Sequence, residues 1–497
     1  MGKNHQINLH HLLVAIISAL VLNLNIYAQN QGNAVTVNWS DIVMVSRTTP
    51  TLQLVENPKV RPSSPIHEKV FSALKNLGAA DVRYVPWFPY PKMAVAELKP
   101  PTKDKTFWDF SYLDSTMNAF MKATKGYPVV INFSTTPAWM WKTEKEVAYP
   151  ENPYQTCWDY NQGKELRDTT VKELSGYFAR LFSWYTKGGF TDELGKFHKS
   201  DHFYRIAYWE VLNEPDGEHQ ISPQMYTRIY DAIVSELKKI SPDTMFVGLA
   251  LAGENNPEYF EYFLNPKNHK QGIPLEGISY HHYSSPSIPG QPLEWYQYTF
   301  FEKADCFLDK VRYIENIRKR LAPGTFTMVN EIGVILQDLA DPSIITSEYW
   351  NVAGTMYAHI FLELTRLGIN VAGESQLVGY PSQYPDVSMV NWETGNPNAR
   401  YWVLKLLIDN FRPGDQLVDT HLNTQGVDAQ GIITKTGEKI LLINKRNVEV
   451  ELRLPSSGNN YKIRYVDVET GENPPAKAEL KSEIIKLKPF SVIVVDL

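Results

Sequence analysis

The chain has 497 residues, 43% of them hydrophobic and 21% charged. That is too apolar for a disordered polymer, and long enough for a barrel of about 250 residues or more with a smaller domain beside it. Its 49 lysines and arginines against 55 aspartates and glutamates leave a net charge of −6, which argues against nucleic-acid binding. The two cysteines, Cys157 and Cys306, make neither a disulfide scaffold nor a cysteine-rich metal site. Aromatic residues reach 12%, a supply of flat apolar platforms of the kind carbohydrate sites use.

In chain order the first predicted element is a targeting segment. Lys3 precedes an apolar run from Leu12 to Leu22, and Ala28 places a small residue at a cleavage point. Residues 1–28 therefore read as a signal peptide cleaved near Ala28, the alternative being an uncleaved anchor, and the mature chain as secreted or periplasmic. No cysteine follows the run, which argues against a lipid anchor. No later stretch reaches about 18 uninterrupted apolar residues, so no membrane span is expected in the mature chain.

From residue 35 onward β-branched runs alternate with amphipathic helices, the signature of βα units. Strands are expected once within 35–55, then at 81–86, 128–134, 205–212, 245–251, 277–282, 325–330 and 370–373. Ser64-Pro65 is expected to cap a helix striped by Ile66, Val70, Ala73, Leu74 and Leu77 and ended by Gly78. Val171, Leu174, Phe178, Leu181 and Tyr185 stripe another, and Ser222-Pro223 opens a third. Eight strands with intervening helices predict an α/β fold, a (β/α)8 TIM barrel with enlarged loops. An open doubly wound sheet is disfavoured because no glycine-rich phosphate loop follows the first strand. After Arg412-Pro413-Gly414 the pattern changes to short strands at 431–433, 439–443, 448–454, 461–466, 484–487 and 492–495. These predict a C-terminal β-sandwich. The expected division is 1–28 signal peptide, 29–411 barrel and 412–497 sandwich, with residues 35–39 available to the sandwich.

Barrel enzymes carry their chemistry where strands end. In WEVLNEPD (209–216), Pro215 cannot continue a ladder, so the strand stops and leaves Glu214 on its lip. Asn213 beside it can bond a sugar hydroxyl. In TFTMVNEIG (325–333), Glu331 follows an apolar strand, three strands later than Glu214. Strands four and seven face each other across a barrel mouth, so the two carboxyls can converge to the ~5–5.5 Å of retaining glycosidases. Trp87, Trp139 and Trp141 follow early strands and are candidates to stack on sugar rings or to pack loops. Arg83 is a candidate to point into the mouth beside a carboxylate.

The arrangement resembles the clan of retaining glycoside hydrolases built on (β/α)8 barrels, most nearly glycoside hydrolase family 39, the β-xylosidase and α-L-iduronidase family. Residues 209–233 are similar to that family's strand-four segment and GISYHHYSS (277–285) to its strand-six segment, where a His-x-Tyr pattern falls on His281 and Tyr283. Residues 391–402 resemble its exit from barrel to sandwich. The sequence departs from the family at Asn330, where threonine is commoner, and at Ala372-Gly373-Glu374-Ser375-Gln376, where an aromatic is expected. The resemblance implies Glu214 as acid/base and Glu331 as nucleophile, with Tyr283 bonding Glu331 and His281 bracing the network.

The expected function is therefore hydrolysis of an oligosaccharide or polysaccharide with retention and without a cofactor. The competing readings are a non-catalytic secreted glycan-binding protein and an inverting enzyme or transglycosylase. Glu374 also ends a strand and rivals Glu331, while Glu210 is expected out of phase with the inward positions of its strand. Adjacent side chains on a strand point to opposite faces, so His281 and His282 are not expected to share a metal ion.

Overall fold

The computed structural model describes residues 33–160, 162–285, 291–336, 345–379, 385–456 and 460–497. The expected signal peptide lies outside the described residues. Among them no helix is long and apolar enough to cross a membrane.

The chain runs β1 (Thr36–Val45), β2 (Thr49–Val55), α1 (His67–Leu77), β3 (Val82–Val85), α2 (Pro91–Ala94), α3 (Ser111–Ala123), β4 (Val129–Ile131) and α4 (Lys172–Thr186). A hairpin of β5 (Gly189–Thr191) and β6 (Phe197–Lys199) precedes β7 (Tyr208–Glu210), α5 (Pro223–Ile240), β8 (Met245–Leu251), α6 (Pro257–Phe263) and β9 (Gly277–Ser284). Then come α7 (Leu293–Leu321), β10 (Phe326–Val334), α8 (Ser347–Leu367), β11 (Val371–Glu374) and α9 (Ala399–Asn410). Strands β2, β3, β4, β7, β8, β9, β10 and β11 close in that order into one parallel barrel. This is the (β/α)8 barrel expected from the alternation.

The remaining strands are β12 (Gln416–His421), β13 (Val427–Thr434), β14 (Gly437–Asn444), β15 (Val450–Arg453), β16 (Tyr461–Val466), β17 (Ala476–Leu480), β18 (Ile484–Leu487) and β19 (Val492–Asp496). They form a seven-stranded sheet, β1-β12-β13-β14-β19-β16-β17, and a two-stranded sheet, β15-β18. Alternation along β14 and β19 explains how the large sheet serves two cores. Ile440, Leu442, Ile493 and Val495 cluster with Leu452, Ile485 and Leu487 of the small sheet. Leu441, Ile443, Val492 and Val494 join the core shared with the barrel helices.

Some local expectations are corrected. The single strand expected within 35–55 is two. β1 pairs antiparallel with β12 and is largely exposed, whereas β2 is buried on both faces and opens the barrel. A barrel strand covered on both sides is a continuous apolar run, and the segment changes character at Arg47. Ser64 belongs to a turn before α1, which starts at His67 without a side-chain cap. Ser222 does cap α5, its hydroxyl accepting from the Met225 amide at 3.2 Å. Strands β12 and β17 escaped the sequence pattern because Asp, Gln, Lys and Glu interrupt their alternation.

His359 on α8 ties barrel to sandwich. It is 3% exposed, with Nδ1 2.6 Å from Asp428 of β13 and Nε2 2.9 Å from Asp305 of α7. Lys445 also bonds Asp428, at 2.9 Å. Burial alone would lower the His359 pKa; Asp428 and Asp305 outweigh it and raise it above the usual 6.5. A raised folded pKa gives stability that is fully present below the unfolded value and lost as pH rises through the folded one. His359→Ala is therefore expected to lose about 3 kcal/mol by urea denaturation at pH 6, and measurably less at pH 9.

Candidate active site

The site is built from the upper ends of β3, β7, β9, β10 and β11. Its lowest layer is apolar: Val130, Val247, Met328 and Val371 form one buried cluster inside the barrel. Two residues further up β4 and β10, alternation brings Asn132 and Asn330 inward, and both donate to the Glu210 carboxylate, at 2.6 and 2.7 Å. Glu210 also accepts from Ser279 Oγ at 2.5 Å and from Arg83 Nε at 2.5 Å. Its expected phase is thus corrected. Glu210 faces into the barrel, and Trp209 is the outward residue, packed against Phe133, Phe178 and Phe182. The strand signal was misread because β7 is only three residues long. After it Leu212 and Glu214 turn into positive φ, 60° and 41°, and alternation no longer holds.

Arg83, 1% exposed, lies beneath the mouth rather than in the cavity wall. Besides Glu210 it donates to Gln53 Oε1 at 2.7 Å, Asn213 Oδ1 at 2.6 Å and Glu331 Oε1 at 2.5 Å. Burial would raise the Glu210 pKa, but the Arg83 charge and the hydrogen bonds from Ser279 and Asn132 outweigh it and hold the carboxyl below its ordinary value.

Glu331 takes its second contact from Tyr283, whose hydroxyl donates to Oε2 at 2.6 Å. Ser375 Oγ lies 2.5 Å from the Tyr283 oxygen, and Gln53 Nε2 donates to Ser375 at 3.2 Å. Across the mouth His281, fully buried, places Nδ1 2.7 Å from Glu214 Oε1 and Nε2 3.6 Å from Glu331 Oε1. Burial would lower the His281 pKa; the charges of Glu331 and Glu214 outweigh it and raise it above 6.5. Ligand-capable atoms of Glu214, His281 and Glu331 all lie within 4.8 Å of one another. One oxygen of Glu214 and one of Glu331 therefore approach within 4.8 Å of each other across the mouth.

That spacing would also suit a metal ion, but Arg83 already contacts Glu331, and a guanidinium beside a dication is repulsive. His282 points away, stacked on Phe307 at 4.2 Å and bonded to Ser284.

A cavity of about 460 Å³ opens above the carboxyls. One wall is aromatic: Trp87, Phe88 and Trp158 meet edge-to-face with centroids 4.9 to 5.8 Å apart. Asn213, Glu214, Tyr283 and Glu331 line it together with Glu218 and Gln376. Trp139 does not reach it. Its Nε1 donates to the Glu97 carbonyl, the Arg167 guanidinium covers its ring at 4.5 Å, and it lines a separate cavity of about 510 Å³. Trp141 is buried against His219 at 4.2 Å. Glu374 is no rival: it points outward, fully buried, and bonds Arg400 of α9 at 2.8 Å.

The sequence reading missed Gln53, Ser375 and Glu218. Gln53 and Ser375 carry no local signal, but Glu218 stands four residues after Glu214, one helical turn away. Its carboxyl accepts from Trp87 Nε1 at 2.6 Å, Asn213 Nδ2 at 2.8 Å and Gln162 Nε2 at 3.0 Å. Burial, then the Glu214 charge, pushes its pKa up to about 8 against those hydrogen bonds.

The barrel and its appended antiparallel domain define a class of architecture shared with glycoside hydrolases. No protein-family model and no curated protein sequence matches the chain. Solved structures do. A GH51 arabinofuranosidase from Xanthomonas axonopodis pv. citri aligns with TM-score 0.63 at 14% identity, covering 93% of this chain and 99% of that one. A GH30 endoxylanase from Clostridium papyrosolvens C71 aligns with TM-score 0.58 at 15% identity over the same shares. A conserved exported protein from Bacteroides fragilis aligns with TM-score 0.62 at 11% identity, again over 93% and 99%. At these identities the likeness is one of fold, and it does not single out family 39.

Arg83→Met removes the cation shared by Glu210 and Glu331 and is expected to lose about 3–5 kcal/mol by urea denaturation at pH 7. Glu210's lowered pKa contributes stability above its unfolded value of about 4.5 and loses it as pH falls. The gap between wild type and variant should therefore narrow below about pH 4.5.

Proposed function

We propose that the chain is a retaining glycoside hydrolase working through a covalent glycosyl-enzyme ester, with Glu331 as nucleophile and Glu214 as acid/base. The observation that carries this reading is the convergence of the two carboxyls, within 4.8 Å through His281, at the floor of a cavity with an aromatic wall. Arg83 and Tyr283 each bond one oxygen of Glu331, which holds the carboxyl in one orientation. Glu214 is the more exposed of the two, with 23% of its side chain accessible against 8%.

In the first step Glu331 attacks the anomeric carbon while Glu214 gives its proton to the leaving oxygen. The glycosidic bond breaks and the ester forms. Glu214, now ionised, removes a proton from water, which attacks the same carbon from the vacated side and releases Glu331. His281, with its raised pKa, donates to Glu214 and stabilises the carboxylate left after proton transfer. Asn213, its amide oxygen held by Arg83, borders the same cavity for contact with the sugar.

The same reading includes export. It is supported by the apolar run after Lys3 and by the exported protein from Bacteroides fragilis among the structures of similar fold.

Two variants test the roles with nitrophenyl glycosides. Glu214→Ala should lose about 10²–10⁴-fold in kcat on poor leaving groups. With azide it should yield a glycosyl azide of retained configuration, because azide intercepts the ester. Glu331→Gly should lose turnover, and azide should restore it with inversion, since one displacement replaces two. Absence of any turnover by the wild type across a broad panel, or an inverted sugar product by NMR, overturns the reading.

A further inference from the structure

Three buried glutamates of the barrel each pair with an arginine. Glu56 is paired with Arg61 at 3.2 Å, Glu210 with Arg83 at 2.5 Å and Glu374 with Arg400 at 2.8 Å. Glu218, partly buried in the cavity wall, has instead the neutral N–H donors Trp87, Asn213 and Gln162, and among the described residues no cation touches it. Its place is fixed by the chain: the Glu218 amide donates to the Glu214 carbonyl at 2.7 Å, so both carboxyls fall on one side of a single turn.

Its surroundings match the two faces of a sugar ring. Trp87 lines the cavity with an apolar face and holds the Glu218 carboxyl at its ring edge, so apolar and polar surfaces adjoin. A pyranose or furanose presents C–H groups on a face and hydroxyls around an edge. An ionised carboxylate has about four acceptor positions, and three are taken. A protonated one carries an O–H that none of its three donor partners can accept. A hydroxyl, being donor and acceptor at once, satisfies either form. A carboxylate or sulfate on the ligand satisfies only the protonated one, and would face Glu214 and Glu331 as well. The described cavity wall contains no lysine or arginine. Arg83 lies beneath, engaged with four acceptors.

Building on the glycosidase reading, we propose that Glu218 is a specificity-determining residue that binds a hydroxyl of a neutral sugar in the cavity, in a pocket that rejects sugars bearing carboxylate or sulfate.

The test compares wild type, Glu218→Gln and Glu218→Asp on neutral aryl glycosides, their monodeoxy analogues and the matching aryl uronides. Thermal melting checks that each variant is folded. Wild type should favour the neutral glycoside over the uronide by at least about 100-fold, and Glu218→Gln should lower kcat/KM on it by about 10–100-fold. On one deoxy analogue, lacking the hydroxyl that Glu218 contacts, the same substitution should cost less than about twofold, a coupling that a supporting role does not produce. Glu218→Asp, which keeps the carboxyl, should fall between the two. An active wild type that prefers the uronide, or equal losses on the parent and every deoxy analogue, overturns this inference alone. A wild type that cleaves none of these substrates overturns the glycosidase reading and this inference with it.

Discussion

The arrangement depends on one buried cation. Taking the Arg83 guanidinium out of water costs several kcal/mol unless its geometry is nearly complete. Here Glu210, Glu331, Gln53 and Asn213 each supply an oxygen at 2.5 to 2.7 Å. A guanidinium only donates, so it dictates how its neighbours point. Gln53 and Asn213 must turn their amide oxygens toward it, and their NH₂ groups then face away, toward Ser375 and Glu218. A single side chain on β3 thereby fixes Glu331 on β10 and Asn213, the residue before Glu214, on the β7 loop.

Glu210 makes that possible without touching the cavity. Its four donors come from four other strands: Arg83 on β3, Asn132 just past β4, Ser279 on β9 and Asn330 on β10. It is a polar layer between an apolar floor and a reactive rim. From β10 the Asn330 amide reaches the shared carboxylate across the barrel.

How much of this was legible follows from how local each signal is. The barrel was readable because each βα unit carries its own periodicity. Glu214 was readable because Pro215 stops the strand at a known place, and Glu331 because an apolar run ends beside it. The phase of Glu210 was not, since a three-residue strand is too short to show its period before the chain turns to positive φ. Trp139 and Trp87 looked alike in sequence, each following an early strand, but only Trp87 reaches the cavity; Arg167 covers the other. Gln53 and Ser375 are 322 positions apart, and nothing in either neighbourhood announces the contact.

That contact settles what replaces the aromatic expected at the end of strand eight. Arg83 turns Gln53 so that its NH₂ donates to Ser375. Ser375, its oxygen accepting from Gln53, has one proton left to give and lies 2.5 Å from Tyr283. The Tyr283 hydroxyl then gives its own proton to Glu331, whose other oxygen returns to Arg83. Each donor direction is fixed because Arg83 can only donate and the Glu331 carboxylate, which receives from both Arg83 and Tyr283, only accepts. An indole or phenyl ring at 375 would break this sequence of bonds, leaving Gln53 without an acceptor and Tyr283 without a donor. The apolar platform is instead supplied by Trp87, Phe88 and Trp158, from loops after the second and third strands of the barrel. Serine on strand eight and aromatic residues on those loops are thus two halves of one arrangement: a hydrogen-bonding element behind Glu331 and an apolar surface on a different part of the rim.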